Sequence, residues 1–180
     1  FNSVISSDPK EILDAKVVIL PGVGSFKQAM LNLKNLKLDT CIHDYVQTGK
    51  IFVGVCLGLQ LLFTKSEEFG NHSGLDILKG EVKKFKFNNE QKLPVPQMNW
   101  NQIISKDIDW NKTYLKNNLN NDLMYFVHSY FVVPEDKSII LTETKYGSQT
   151  YCSSIVKDNI FATQFHPEKS LTNGLKIYKS

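Results

Sequence analysis

The chain contains no arginine: all 21 of its basic residues are lysine, against 18 acidic residues. The resulting net charge of +3 is too small for a nucleic-acid-binding or membrane-surface protein, because such proteins depend on clustered basic charge. The sequence also lacks any apolar run near the roughly 20 residues that span a bilayer. We therefore expect no nucleic acid and no membrane among its partners.

Cysteine is scarce as well, and the three cysteines are far apart, at positions 41, 56 and 152. Their odd number and wide spacing fit neither a disulfide framework nor a zinc site, so we expect a protein of the reducing cytoplasm. No other pattern in the sequence indicates a metal or a cofactor. A lone cysteine with a distant histidine instead raises the possibility of a catalytic thiol.

The length of 180 residues, with 42% hydrophobic and 22% charged residues, is typical of one globular domain. We therefore expect a single domain over residues 1–180. In its first third, short apolar runs alternate with helical spacing, which predicts an α/β fold with a parallel sheet. The predicted elements there are a strand at 17–20, helices at 25–33 and 40–46, a strand at 51–55 and a helix at 57–68.

The second half of the sequence consists of short strand-like runs separated by turn residues. Turns are predicted at Asn88-Asn89 and at Lys157-Asp158-Asn159, and the Asn-rich segment 116–122 is predicted to be a loop. The predicted strands are 82–87, 95–98, 103–104, 124–133, 139–142, 151–156 and 160–165.

Cys56 lies in Gly54-Val55-Cys56-Leu57-Gly58, a G-x-nucleophile-x-G pattern with cysteine in place of serine. A β-branched strand precedes it and an amphipathic helix follows, which is the context of a nucleophile elbow. The start of that helix should favour the thiolate, and the Leu57 amide could donate to an oxyanion. A free cysteine is more often a small buried core residue, but the complete elbow reverses that preference.

His166 is the candidate proton partner, because it follows the last predicted strand in His166-Pro167-Glu168. Residues two apart in an extended chain face the same side, so Glu168 could orient the imidazole. This spacing is weak by itself and gains weight only with the elbow. Together the three residues would form a triad of nucleophile (Cys56), base (His166) and orienting carboxylate (Glu168).

The glycine-rich segment Pro21-Gly22-Val23-Gly24-Ser25 follows the strand that precedes the elbow strand. The carboxyl ends of parallel strands form the binding crevice of such sheets, so the Val23 amide could be a second oxyanion donor. The alternatives are a simple strand-to-helix turn or a phosphate loop, although no known phosphate-loop pattern is present.

These segments resemble the class I, triad-type glutamine amidotransferases. Among them, the chain is most similar to the glutaminase subunits of imidazole glycerol phosphate synthases. The resemblance extends in order over nearly the whole chain. The matching segments are 21–24, 54–60, 96–101, 125–130 and 164–170.

The resemblance implies a class I glutamine amidotransferase fold, with a mixed and mostly parallel central sheet flanked by helices. It implies that Cys56 attacks the side-chain amide of glutamine and that His166, held by Glu168, protonates the departing ammonia. The ammonia would pass to a (β/α)₈-barrel cyclase in a heterodimer, which makes imidazole glycerol phosphate and AICAR in histidine biosynthesis. No cofactor is implied.

The resemblance also assigns residues to L-glutamine and to the partner. Substrate binding is implied for Gly24, Gln60 and Glu68 and for the backbone of Ser129 and Tyr130. A position near the partner interface is implied for Met98, Trp100 and Lys169.

The sequence departs from the family pattern in two places. The first strand and helix of the family are absent before residue 4, so we expect an N-terminally truncated domain. Gln97 and Asn99 stand where the subunit usually has histidine and glycine, which bears on the identity of the partner. Three alternatives therefore stay open: a paralogous glutaminase for sugar amidation in surface-polysaccharide synthesis, a stand-alone γ-glutamyl cysteine hydrolase, and a degenerate subunit that only scaffolds its partner.

Overall fold

The computed structural model describes residues 3–87 and 93–180. The predicted turn at Asn88-Asn89 lies outside these residues. The α-helices of these ranges are α1 (Pro9–Asp14), α2 (Phe26–Asn35), α3 (Leu38–Gln47), α4 (Leu57–Leu61) and α5 (Leu171–Tyr178). The strands are β1 (Val17–Gly22), β2 (Ile51–Cys56), β3 (Phe63–Ser66), β4 (His72–Ser73), β5 (Leu78–Lys84), β6 (Gln97–Gln102), β7 (Ile104–Ser105), β8 (Leu123–His128), β9 (Tyr130–Pro134), β10 (Ile140–Tyr146), β11 (Gln149–Lys157) and β12 (Ile160–Thr163).

Most strands belong to one sheet with the order β1-β2-β12-β11-β9-β5-β3-β4, and β10 and β7 extend from β11. Strands β6 and β8 form a separate antiparallel pair. The mixed α/β sheet is confirmed, but the expectation that it is mostly parallel is wrong. In the described chain, parallel pairing is limited to β1-β2-β12 and β3-β5. Parallel neighbours need long crossovers, whereas the short turns of the second half favour antiparallel pairs.

The central strands β1, β2 and β12 place the site. The crossover from β1 to β2 contains α2 and α3, and all three strands run parallel. Gly22 therefore lies level with Cys56, and Thr163 lies level with Val55. The segments that follow these residues meet at one edge of the sheet, as the sequence predicted for parallel strands.

The core covers both faces of this sheet. On one face α3 packs on β2 and α2 packs on α3 and α4, with Phe26, Tyr45 and Phe52 fully buried. On the other face Phe126, Phe161 and Phe165 are part of a second buried cluster. Burial on both faces explains the nearly continuous apolar sequence of β2 and β12. The strand ends are therefore held rigidly from both sides.

The prediction of a helix at 57–68 is wrong beyond Leu61. Helix α4 ends at Leu61, and the chain continues as β3, parallel to β5. The Leu61 and Leu62 carbonyls accept backbone amides from Leu75 and Ile77 instead of continuing a helix. Apolar spacing in so short a run suits either element, so the tertiary pairing decides.

The strand predicted at 124–133 is in fact two strands in different sheets. Strand β8 ends at His128 and β9 begins at Tyr130, with a bend at Ser129. The Ser129 carbonyl accepts the Phe85 amide, which ties the bend to the segment after β5. The chain thus changes sheets beside the site, at the residue whose backbone was predicted to bind substrate.

No helix of the described ranges is both long enough and apolar enough to cross a membrane.

Candidate active site

Cys56 ends β2 and precedes α4, at the sharp turn that the sequence predicted. Its φ of 55° lies in the left-handed region that non-glycine residues rarely adopt. The turn is closely packed: a Cβ at Gly58 would lie 1.9 Å from the Leu20 carbonyl oxygen. The elbow therefore requires glycine at position 58, and it holds the nucleophile candidate in a strained conformation.

The Cys56 thiol is buried, and burial raises its pKa to about 12. The Leu57 amide and the Gln164 side chain each hydrogen-bond the sulfur and lower the pKa, but neither offsets burial. The start of α4 therefore favours the thiolate through the Leu57 amide, as expected, but desolvation outweighs this effect. The thiol is neutral at pH 7 and needs a base.

His166 is the candidate for that base. Its Nδ1 lies 2.6 Å from Glu168 Oε1, and this carboxylate requires a proton on Nδ1. The neutral ring then has a lone pair on Nε2, a buried atom that has no hydrogen-bond partner among the described residues. The imidazole is therefore oriented by Glu168 and is free to accept a proton at Nε2.

The segment that contains His166 and Glu168 is anchored to β8. The His166 amide donates to the Tyr125 carbonyl at 2.9 Å, and the Tyr125 amide donates to Ser170 Oγ at 3.0 Å. The Ser170 hydroxyl in turn donates to the His166 carbonyl. Ser170 thus closes the loop around the histidine, a role that the sequence did not predict although Ser170 lies in the matching segment 164–170.

A cavity of about 180 Å³ opens beside this arrangement. Its lining includes Gly22 and Val23 from the glycine-rich turn and His166 and Glu168 from the opposite loop. A larger cavity of about 310 Å³ lies between α2, α3 and residues 74–75 and contains no triad residue. The smaller cavity is the better candidate because it borders His166 and Glu168, although Cys56 is not among its lining residues.

The family model for class I glutamine amidotransferases matches residues 3–179 of the chain. The chain belongs to this family. This class I glutamine amidotransferase is 47% identical over 177 residues to "Imidazole glycerol phosphate synthase subunit HisH" of Aquifex aeolicus, a match that covers 98% of this chain and 82% of that protein. It is 43% identical to the subunit of the same name from Syntrophotalea carbinolica, over 100% of this chain and 87% of that protein.

The fold comparison agrees with this membership. A crystal structure of a glutamine amidotransferase superposes with a TM-score of 0.69 at 14% identity, covering 97% of this chain and 81% of that chain. The structure of PurLQS from Thermotoga maritima gives a TM-score of 0.66 at 18% identity, over 92% of this chain and 78% of that chain. The class I amidotransferase fold predicted from the sequence is thereby confirmed.

The predicted substrate residues of this amidotransferase form two groups, of which the Gln60 group is connected to Cys56 through Gln164. Gln60 donates from Nε2 to the Tyr130 carbonyl at 2.9 Å and to Gln164 Oε1 at 3.0 Å. Glu68 accepts the Phe26 amide at the start of α2, close in sequence to Gly24. Gly24 has a φ of +96°, a conformation that glycine adopts without strain.

The two predicted oxyanion donors lie at the same end of the sheet. Leu57 is the first residue of α4, and its amide faces the Cys56 sulfur. Val23 follows Gly22, which pairs with Cys56 across β1 and β2, and its side chain is 85% exposed. Their roles stay predictions.

The predicted interface residues are all exposed. Met98 is 62% and Trp100 41% exposed on β6, and Lys169 is exposed in the loop after His166. The Trp100 ring meets the Tyr125 ring edge-on at 5.9 Å. Met98 is paired with Val127 of β8, whose carbonyl lies 4.0 Å from Cys56 Sγ. Strand β8 therefore lies between β6, which contains Met98 and Trp100, and the Cys56 thiol.

Gln97 and Asn99, the two residues of β6 that depart from the family pattern, have different surroundings. Asn99 is exposed, whereas Gln97 is fully buried. Gln97 Oε1 lies 2.9 Å from the Tyr151 hydroxyl, which lies 3.2 Å from His128 Nε2. Position 97 thus belongs to a buried polar cluster and not to the exposed surface of β6.

His128 makes the stability of the amidotransferase depend on pH. Burial lowers its pKa from 6.5 to about 4, so between these values the unfolded chain binds a proton that the folded chain does not. Stability should therefore fall as the pH drops from about 6.5 to about 4, by about 2 kcal/mol at pH 5. Urea unfolding at pH 5 and pH 8 measures this change.

The control for that measurement compares two histidine replacements. His128→Gln should reduce the difference in unfolding free energy between pH 5 and pH 8, whereas His72→Gln on β4 is the matched replacement outside the core. If His128→Gln retains the full pH difference, another group is responsible for it.

Among the described residues, no group of three or more histidine, cysteine, aspartate or glutamate side chains is arranged to hold a metal ion.

Proposed function

We propose that this chain hydrolyses glutamine to glutamate and ammonia and delivers the ammonia to a cyclase that makes imidazole glycerol phosphate and AICAR in histidine biosynthesis. The observation that carries this proposal is the Glu168-oriented His166 after β12, together with the elbow cysteine at the end of the parallel neighbour β2, in a chain 47% identical to a protein named as the HisH subunit. We propose one catalytic domain over residues 1–180, acting in the cytoplasm without a cofactor.

The chemistry begins with a neutral thiol, since burial raises the pKa of Cys56 to about 12. His166 Nε2 takes the thiol proton as sulfur attacks the amide carbon of glutamine, and Glu168 stabilises the imidazolium. The same proton then goes to the departing nitrogen, which leaves as ammonia. A water molecule, deprotonated by His166, hydrolyses the glutamyl thioester to glutamate and restores the thiol.

The negative oxygen that forms in each step needs donors, and the amides of Val23 and Leu57 are proposed for it. Both residues follow the paired positions Gly22 and Cys56, respectively, so their amides lie at the same end of the sheet. The remaining predicted residues would hold the rest of the glutamine. The proposed substrate set is Gly24, Gln60 and Glu68 with the backbone of Ser129 and Tyr130.

The partner is proposed to be a (β/α)₈-barrel cyclase subunit in a heterodimer. Supporting this, Met98 and Trp100 expose large apolar side chains on neighbouring positions of β6, with Lys169 exposed beside the triad. Exposed aromatic and apolar anchors of this kind are typical of protein interfaces. The contact would lie one strand away from Cys56.

Glutamate release, measured with and without the cyclase and its nucleotide substrate, tests this function. The chain should be expressed with any natural residues that flank it. We expect strong stimulation by the complete cyclase, because the proposed interface strand β6 pairs with β8 beside the thiol. Met98→Asp with Trp100→Asp should remove the stimulation and retain the fold.

Other outcomes favour the alternatives. Absence of stimulation, with Cys56 still labelled by a glutamine-like electrophile, would favour a paralogous subunit that serves sugar amidation. Full activity without any partner would favour a stand-alone γ-glutamyl hydrolase. Neither hydrolysis nor labelling in the presence of the cyclase would indicate a scaffold and would overturn the proposal.

A further inference from the structure

Gln164 is a fully buried polar residue that the mechanism above does not use. It follows β12, and its backbone amide donates to the Ser153 carbonyl at 2.8 Å. Its side chain lies between Gln60 and Cys56, two groups at the centre of the site. Burial of a side-chain amide costs free energy unless its hydrogen bonds are satisfied. The partners of the Gln164 side chain therefore indicate how its amide is oriented.

The hydrogen bonds fix which end of this amide faces the sulfur. Gln60 uses one N–H for the Tyr130 carbonyl, which can only accept. Its other N–H points to the Gln164 side chain at 3.0 Å, so the atom there must be the oxygen Oε1. The nitrogen Nε2 of Gln164 is then directed at Cys56 Sγ, 3.6 Å away. The orientation thus follows from the backbone of Tyr130.

An N–H donor stabilises a thiolate more than a thiol, because hydrogen bonds to a charged acceptor are stronger. The sulfur of Cys56 needs such help, since burial opposes its charge. The charged groups that act on it are Glu168, which raises the thiol pKa, and Lys169, which lowers it. The uncharged groups around it are the Leu57 amide, the Val127 carbonyl and Gln164.

We infer that Gln164 is a positioning residue for the nucleophile: its side-chain amide, oriented by Gln60, donates to Cys56 Sγ and holds the sulfur in place as it gains negative charge. This role rests on the proposed function of Cys56. Since the thiolate forms twice in each turnover, on attack and on thioester hydrolysis, Gln164 would act in both steps. It supplies no proton and leaves the roles of His166 and Glu168 unchanged.

The test measures the alkylation rate of Cys56 by iodoacetamide between pH 6 and pH 10, with the label located by peptide mass spectrometry. Gln164→Glu keeps the oxygen that Gln60 needs but replaces the donor to sulfur with a second oxygen. We expect the rate at pH 8 to fall about ten- to a hundredfold and its pH profile to move to higher pH. Gln164→Met, a neutral variant without a donor, should change in the same direction.

Gln97→Glu is the matched control, because Gln97 is equally buried but hydrogen-bonds Tyr151 instead of Cys56. It should alkylate at the wild-type rate if folded, as checked by circular dichroism. A wild-type rate and pH profile in folded Gln164→Glu or Gln164→Met would overturn the inference. This outcome is distinct from failure of the proposed function, which is decided by hydrolysis in a Cys56 variant and not by alkylation.

Discussion

Replacing Cys56 with alanine is expected to abolish glutamine hydrolysis in the presence of the cyclase. If Cys56 is the nucleophile, its removal leaves His166 with no thiol to deprotonate, and losses of at least about 10⁴-fold are typical when a member of a nucleophilic triad is removed. The fold should remain, because alanine only deletes the sulfur at a position already held by β2 and α4. Glutamate release and a thermal melt measure the two effects.

Cys152→Ala is the matched control for this substitution. Cys152 is a fully buried free cysteine on β11, and its thiol hydrogen-bonds the Ser154 carbonyl at 3.5 Å. Its loss should lower stability modestly and leave hydrolysis intact. Glutamine hydrolysis at the wild-type rate by a folded Cys56→Ala protein would exclude the thioester mechanism.

Gly58→Ala is expected to have the largest effect on stability. The added Cβ would lie 1.9 Å from the Leu20 carbonyl oxygen and 3.0 Å from its carbonyl carbon. Both are backbone atoms of β1, which is paired along its length with β2, so they cannot move without breaking the sheet. Overpacking against backbone of this kind should cost about 3 kcal/mol or more, and urea unfolding measures it.

Gly49→Ala separates this clash from the conformational preference of glycine. Gly49 follows α3 with a φ of +76°, and a Cβ there would have no atom within 4 Å. Only the cost of a left-handed backbone remains, about 1–2 kcal/mol. If Gly58→Ala were no more destabilising than Gly49→Ala, the close approach of α4 to β1 would not hold the elbow.

The sequence was most informative where a local pattern and the tertiary contact coincide. The β-branched run of β2 followed by Gly54-Val55-Cys56-Leu57-Gly58 requires the same elbow that the structure contains, since only small residues fit there. The spacing of two between His166 and Glu168 likewise predicted their contact of 2.6 Å, although Pro167–Lys169 form a 3-10 turn and not the extended chain on which the prediction relied. Both signals arise within a few residues.

The errors arose where a remote segment decides the local structure. Segment 63–66 becomes a strand because β5 is available to pair with it, and no residue within that segment encodes this neighbour. The bend at Ser129 arises in the same way, because β8 pairs with β6 in the small sheet whereas β9 pairs in the large sheet. The sequence placed Gln164 only in the matching segment 164–170 and predicted no role for it, because that role depends on contacts with Gln60 and Cys56, more than 100 residues earlier.

Strand β8 has a consequence for how this protein can evolve. Its backbone contacts the His166 loop at Tyr125 and faces the Cys56 sulfur at Val127, and its other edge pairs with the exposed strand β6. Under the proposed function, partner recognition and chemistry share the backbone of the paired strands β6 and β8. A substitution selected for a new partner on β6 would be exposed at once to selection on the reaction rate, so the two properties should drift together and not separately.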